Sequence, residues 1–356
     1  MNESRIERVL QNMQKAGLEQ IVVTSTSSVY YLTGLWVEPL ERMLALYLNT
    51  HGDRVLFGNY LFGLPEQQGV RLMQHSDSDN PVRDLAEVIR PGKLGIDKMW
   101  LSKFLIGLIQ LRPDVTPVIG SAPVDDARML KDAQEIEAMR YSSQINDQAV
   151  EAAIASIHEG ARENELAAQV EEFYRAHGAD HSSEGQLVCF GANGADPHHA
   201  PDDTVLREGD SVTFDIFIPF RRYWCDMTRT VFFKTVSDEQ RRVYETVKNA
   251  NLSAIAAVRP GMPLRDFDRA ARKVIEDAGY GPYFTHRLGH GAGLDCHEMP
   301  DVSSASDVIA KPGMVFSIEP GVYLPGKFGV RVEDLVLVTE DGCEVLNKAS
   351  KDLRIV

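Results

Sequence analysis

One pattern occurs twice in the second half of this chain and limits what it can fold into. Asp132, with Glu135 three residues on, has the form of a capping box. It opens a long helix carrying Ile136, Met139, Val150, Ile154 and Ile157, which should end near Gly160. A second helix, with Leu166, Val170, Phe173 and Tyr174, runs to Gly178. About a hundred residues later the order returns: Ser237 and Gln240 open a helix through Val243, Val247 and Ile255, and a second one through Phe267, Ala271 and Ile275 ends at Gly279. Strand-like runs follow each helix pair. Six residues after Gly209 stands Asp215, and six after Gly313 stands Glu319; Asp226 and Glu333 form a second pair at similar separation. His198 and His297 repeat at nearly the same interval, each ahead of a proline and acidic residues. A helix–helix–strand–carboxylate unit used twice predicts two pseudo-symmetric half-domains that bring four carboxylates to one centre.

The 356 residues exceed what one compact domain usually needs. The first third alternates helix and strand signals: an amphipathic helix with Ile6, Val9, Leu10 and Met13 on one face, strands at Ile21–Thr24, Met43–Leu48, Val55–Phe57 and Leu94–Ile96, and helices at Pro81–Ile89 and Leu101–Leu111. That reads as a small α/β domain. Pro113, Pro117 and Pro123 suggest a linker over Arg112–Asp126, giving domains 1–124 and 125–356 within an α/β (α+β) fold class. Charge excludes some partners. Thirty-seven basic against 52 acidic residues leave a net charge of −15, which repels nucleic acid and anionic membranes. No apolar run approaches bilayer length, and charges at Glu3, Arg5, Glu7 and Arg8 interrupt any leader-like start. Four dispersed cysteines without a CxxC pair fit reduced thiols, so a cytoplasmic protein is expected.

Taken singly, each repeated carboxylate has an ordinary structural explanation as a buried ion-pair partner. Asp215 sits in Val212-Thr213-Phe214-Asp215-Ile216 and Glu319 in Val315-Phe316-Ser317-Ile318-Glu319-Pro320. Four such anions in apolar surroundings need compensating positive charge. Arg229 and Arg331 could supply part of it, and a pair of divalent cations would supply it more completely. His290, in Gly289-His290-Gly291-Ala292-Gly293, is the histidine that could complete such a site, with glycines that let backbone approach closely. The glycine run lacks the lysine and hydroxyl of a phosphate loop.

These residues resemble the pita-bread metallopeptidases, the group of prolidases, aminopeptidase P and methionine aminopeptidases. Asp215 and Asp226 fit a D-x10-D spacing, His290 a GHG-x-G position and Glu319 an S-x-E-P-G position. Glu333 fits the glutamate of Gly329-Val330-Arg331-Val332-Glu333-Asp334. Five ligands occur in order over about 130 residues of the C-terminal half. The resemblance implies a small creatinase-like N-terminal α/β domain, a C-terminal pita-bread domain and two divalent metals. Asp215 would hold one metal, Asp226 and Glu333 would bridge, and His290 and Glu319 would hold the second. A hydroxide shared by two metals would attack the scissile carbonyl. Four carboxylates and one imidazole favour manganese, with cobalt or zinc as alternatives.

By the same resemblance His198 and His297 are catalytic, together with Glu319, and His286, Tyr323 and Trp36 contribute to substrate binding. Arg331 stands two before Glu333, so in a strand both side chains share a face. It could grip a substrate carboxylate by two parallel hydrogen bonds, or compensate the ligand carboxylates instead. His199 reads as a surface histidine. The segment 217–223 lacks the glycines usual between the two aspartates, and Cys225 stands where the family commonly has serine.

The resulting expectation is an Xaa-Pro dipeptidase acting on small peptides with proline second, as a homodimer in which the Trp36–Arg42 loop reaches the partner's active site. An Xaa-Pro aminopeptidase acting on longer peptides shares the same core. Two other classes compete: a creatinase-like hydrolase of non-peptide substrates, and a binding module that has lost catalysis. Both would replace metal ligands, and all five are present here.

Overall fold

The computed structural model describes residues 1–182 and 185–356. The chain forms two compact units, Met1–Arg128 and Met129–Val356; the expected boundary at 124/125 falls four residues earlier. No helix among the described residues is long and apolar enough to cross a membrane.

In the first unit α1 (Glu3–Lys15), β1 (Gln20–Val23), α2 (Thr26–Thr33), β2 (Ala45–Asn49), β3 (Arg54–Asn59) and β4 (Arg71–His75) are followed by α3 (Pro81–Val88), β5 (Gly92–Ile96), α4 (Ser102–Leu111), β6 (Val115–Ile119) and α5 (Ala122–Met129). The six strands make one mixed sheet in the order β4-β3-β2-β1-β5-β6. Helix α1 buries Ile6, Val9 and Met13, the face its spacing implies. The linker expected over 112–126 is not a linker. Residues 115–119 form β6, an edge strand, and 122–129 form α5. The prolines that suggested a break are tolerated for physical reasons: an edge strand can lose a ladder donor at Pro117, and Pro123 lies in the first helical turn, where its N–H would have no partner.

The second unit contains α6 (Ala133–Ala155), α7 (Glu163–Ala176), β7 (Leu187–Phe190), β8 (Ser211–Phe220), β9 (Tyr223–Phe232), α8 (Asp238–Ala257) and α9 (Leu264–Asp277). Seven short strands complete it: β10 (Gly289–Gly291), β11 (Glu298–Val302), β12 (Val315–Ile318), β13 (Gly321–Leu324), β14 (Phe328–Arg331), β15 (Asp334–Val338) and β16 (Cys343–Val345). Both expected capping boxes are present, Asp132 with Glu135 on α6 and Ser237 with Gln240 on α8. The sequence repeat appears as two cores. One joins α6 and α7 to β7-β8-β9 through Ile154, Leu166, Val212 and Phe214. The other joins α8 and α9 to β11-β10-β12-β15-β16 through Val247, Phe267, Phe316 and Val336.

Candidate metal centre

The hairpin of β8 and β9 sets the first two carboxylates. Asp215 pairs in register with Thr228, and Phe217 with Asp226. Asp215 and Asp226 are therefore diagonal neighbours on one sheet face, and alternation adds Thr228 to that face. Ten intervening residues achieve this because the turn has only two, Arg221 and Arg222, with φ of 53° and 71°. Both central residues of such a tight hairpin turn need positive φ, normally a task for glycine or asparagine. Here the strained turn is anchored: the Arg222 N–H donates to Asp180 at 2.6 Å, and the Arg221 guanidinium lies 4.0 Å over the Tyr141 ring. Cys225 points to the opposite face, where its thiol donates to the Ile218 carbonyl, so the cysteine displaces no ligand.

The other half-domain supplies the remaining groups. His290 lies at the centre of β10, where a Cβ on Gly289 would collide with the Ser317 carbonyl and one on Gly291 with the Met299 carbonyl. Its Nδ1 is 3.2 Å from the Gly291 carbonyl. A carbonyl only accepts, so Nδ1 carries the proton and Nε2 presents a lone pair. That Nε2 faces Glu319 Oε1 at 3.3 Å and Asp226 Oδ2 at 3.5 Å. Ser317 fixes this corner by accepting from the His290 N–H and donating to Glu319 Oε1, both at 3.0 Å. Glu333 follows β14, and its Oε2 accepts from the Thr228 hydroxyl at 2.7 Å.

A histidine lone pair facing two carboxylates fits a cation. So do two buried oxygens, Asp226 Oδ1 and Glu333 Oε1, which have no hydrogen-bond partner among the described residues. Asp226, His290 and Glu333 each offer a ligand atom within 4.8 Å of the others. The charges register the strain of this arrangement. Burial, then the Asp215 charge, pushes Asp226 well above the usual carboxylate range; burial, then Asp226, does the same to Glu333. Glu319 is raised to about 7, chiefly by burial. His290 is lowered to about 3 by burial and then by His297.

The second unit also holds the other expected site residues except Trp36. His297 packs edge-on against His290 with ring centroids 3.9 Å apart. His198 is exposed and makes no side-chain hydrogen bond among the described residues. His286 Nε2 lies 2.8 Å from the Tyr323 hydroxyl. Burial, then Arg331, lowers His286 to about 4, and burial raises Tyr323 to about 12. Arg331 donates from Nη2 to Asp215, from Nε to Thr228 at 2.9 Å, and from Nη1 to Tyr323 at 3.0 Å and the Pro197 carbonyl at 3.4 Å. All three of its nitrogens are engaged within the protein. Arg229, the other arginine expected to balance the ligands, lies on the opposite face of β9 and pairs with buried Asp334 at 2.8 Å. Trp36 belongs to the first unit, where its Nε1 donates to Glu38 at 2.8 Å and its ring meets Tyr30 edge-on.

Three participants were not singled out from sequence. Thr228 links Asp215, Glu333 and Arg331 through one hydroxyl, and its position two residues past Asp226 on a strand was the available signal. Ser317, two before Glu319, offered the same cue. Cys296, whose thiol donates to Asp226 Oδ2 at 3.6 Å, offered none.

Comparison with known proteins agrees with this architecture. Residues 137–340 match metallopeptidase family M24, and residues 5–130 match the creatinase/prolidase N-terminal domain. An uncharacterized peptidase of Staphylococcus haemolyticus is 34% identical over 359 residues, covering 98% of this chain and 100% of that protein. The crystal structure of a recombinant prolidase from Thermococcus sibiricus superposes with a TM-score of 0.94 at 35% identity, covering 100% of this chain and 99% of that one. That of a dipeptidase from Pyrococcus horikoshii gives 0.92 at 34% identity, covering 99% and 100%. With a buried carboxylate–histidine cluster suited to a cation and family likeness over both units, the chain belongs to metallopeptidase family M24 and carries a creatinase/prolidase N-terminal domain.

Proposed function

We propose that this metallopeptidase is an Xaa-Pro dipeptidase, hydrolysing the peptide bond before proline in dipeptides. The observation that carries the chemistry is the buried cluster of Asp226, His290 and Glu333, in which Asp226 Oδ1 and Glu333 Oε1 have no hydrogen-bond partner among the described residues and the His290 lone pair faces Asp226 Oδ2. Likeness to a prolidase and a dipeptidase along nearly the whole chain supports the substrate class.

Asp226 and Glu333 would lie between two divalent ions, with Asp215 on one side and His290 and Glu319 on the other. Manganese is the proposed metal, with cobalt or zinc as alternatives, because the set is rich in hard oxygen donors. When bound, the ions supply Lewis acidity and an activated water. Glu319 is proposed to take a proton from the attacking water and return it to the leaving nitrogen. That nitrogen needs one, because an amide nitrogen leaves as a neutral amine and not as its anion; here the released proline nitrogen becomes a secondary amine. His297 and His198 would donate to the developing oxyanion and steer the leaving group. Arg331 stands in the role of charge compensation, a reading supported by its bond to Asp215 and its engaged nitrogens. Tyr323 and His286 would then line the pocket that orients the peptide.

The chain is proposed to work as a homodimer, with Trp36 contributing to substrate binding at the partner's site. Its four cysteines are all free, which supports a reducing compartment such as the cytoplasm. The test compares Ala-Pro with Ala-Pro-Ala as substrates of the manganese-loaded protein. Cleavage of the dipeptide alone is expected. Equal cleavage of the tripeptide would move the assignment to Xaa-Pro aminopeptidase, and cleavage of neither would overturn the substrate.

A further inference from the structure

We propose that Glu163 is a positioning residue for His198, acting through the segment that carries it; the proposal rests on the role given to His198 above. His198 is exposed, and its ring has no hydrogen-bond partner among the described residues, so its location is set by the backbone. The His198 N–H donates to Asp196 Oδ1 within the segment at 3.0 Å, and the segment is tied to α7 by the Glu163 carboxylate. Glu163, in the first turn of α7, is wholly buried. Its Oε1 accepts from the Phe190 N–H at 2.6 Å and from Asn193 Nδ2 at 3.0 Å. Its Oε2 accepts from His199 Nε2 at 2.8 Å and from the Asp202 N–H at 3.2 Å.

Four donors thus reach Glu163 from positions on both sides of His198, and one of them is the adjacent histidine. His199, expected to be a plain surface residue, is instead part of this clamp. A carboxylate only accepts, so its Nε2 bears hydrogen. The positive end of α7 stabilises the buried anion. Glu163, His199 and Asp202 offer atoms within 4.8 Å of one another, as metal ligands would. A cation does not suit this place, however, because four N–H groups already point their hydrogens at the Glu163 oxygens. The clamp also connects to the metal centre, since Arg331 Nη1 donates to the Pro197 carbonyl of the same segment.

The test is a set of cycles on full-length, manganese-loaded protein, with Glu163→Gln and His199→Ala each made alone and with His198→Ala. Steady-state kinetics on Ala-Pro and bound manganese are measured together. Glu163→Gln is expected to lower kcat by about tenfold to a hundredfold through misplacement of His198, with KM and bound manganese unchanged. In the His198→Ala background it should lower kcat no further. The same kcat loss in both backgrounds, or full kcat in Glu163→Gln, would overturn the proposal. If Glu163→Gln does not fold, His199→Ala removes one of the four donors and is read in the same way. Its kcat should fall in the wild-type background and not in the His198→Ala background, and full kcat would overturn the clamp. Undiminished kcat in His198→Ala alone would overturn the role of His198 and the proposal with it. Inactivity of the wild type on Ala-Pro would be seen before any variant is compared, and would overturn both.

Discussion

Arg331 donates from Nη2 to Oδ2 of Asp215, and through Nε to a Thr228 hydroxyl that also touches Glu333. One guanidinium from β14 therefore braces Asp215 of β8 directly and, through Thr228 of β9, Glu333 in a loop of its own half-domain. Several buried anions so close together repel one another strongly, and this arginine supplies a permanent positive charge beside them.

Replacing Arg331 separates the two roles open to it. Arg331→Ala leaves the Asp215 charge uncompensated, so metal-free protein should lose stability by about 3–5 kcal/mol, the range for a broken buried pair. Arg331→Lys should recover part of that loss. Denaturant unfolding of metal-stripped variants measures it. Unchanged stability, with a raised KM only for substrates bearing a nearby free carboxylate, would assign Arg331 to substrate binding instead.

Asp226→Ala and His297→Ala should fail differently. Asp226 offers one oxygen near His290 and a second, unpartnered one, so its loss should remove metal and activity together. His297 touches His290 only by ring packing, so His297→Ala should keep its metal and lose about 10²-fold or more in kcat, as for a missing oxyanion donor. Metal analysis beside kinetics checks both. Equal kinetics in His297→Ala would remove its assigned role.

The pH dependence of metal binding has a definite sign. In metal-free protein burial takes Glu319 to about 7, so near neutral pH it holds part of a proton that a cation must displace, and burial and mutual repulsion shift Asp226 and Glu333 in the same direction. His290, lowered to about 3, has already lost its proton at neutral pH and adds no dependence there. Manganese affinity should therefore rise with pH through 7, with protons released on binding. Chelator competition at about pH 6 and about pH 8 tests this, and equal affinities would refute it.

Trp36 carries the proposal for the dimer. Trp36→Ala should weaken peptide cleavage and leave bound metal unchanged, with sedimentation reporting a dimer for both proteins. Unaltered kinetics on every peptide, or monomers alone, would count against it.

The carboxylate candidates could be singled out from sequence because recurrence removes the ambiguity that each has alone: Asp215, Asp226, Glu319 and Glu333 occupy equivalent places in two copies of one unit. Capping residues were equally readable, since Asp132 with Glu135 and Ser237 with Gln240 act within one helical turn. Residues 115–129 misled because proline signals a break, while an edge strand and a first helical turn both accept it. The turn at Arg221–Arg222 was obscured for a related reason. Its positive φ is held by Asp180 and Tyr141, which are distant in sequence. The clamp on His199 was hidden because Glu163 becomes its neighbour only once α7 packs beside the segment after β7.

The most direct test titrates manganese into metal-stripped protein while Ala-Pro hydrolysis is followed. The expected result is no cleavage without metal, and activity that rises to its plateau as two ions bind per chain. Undiminished hydrolysis by fully stripped protein, or a plateau with no metal bound at Asp226 and Glu333, would contradict it.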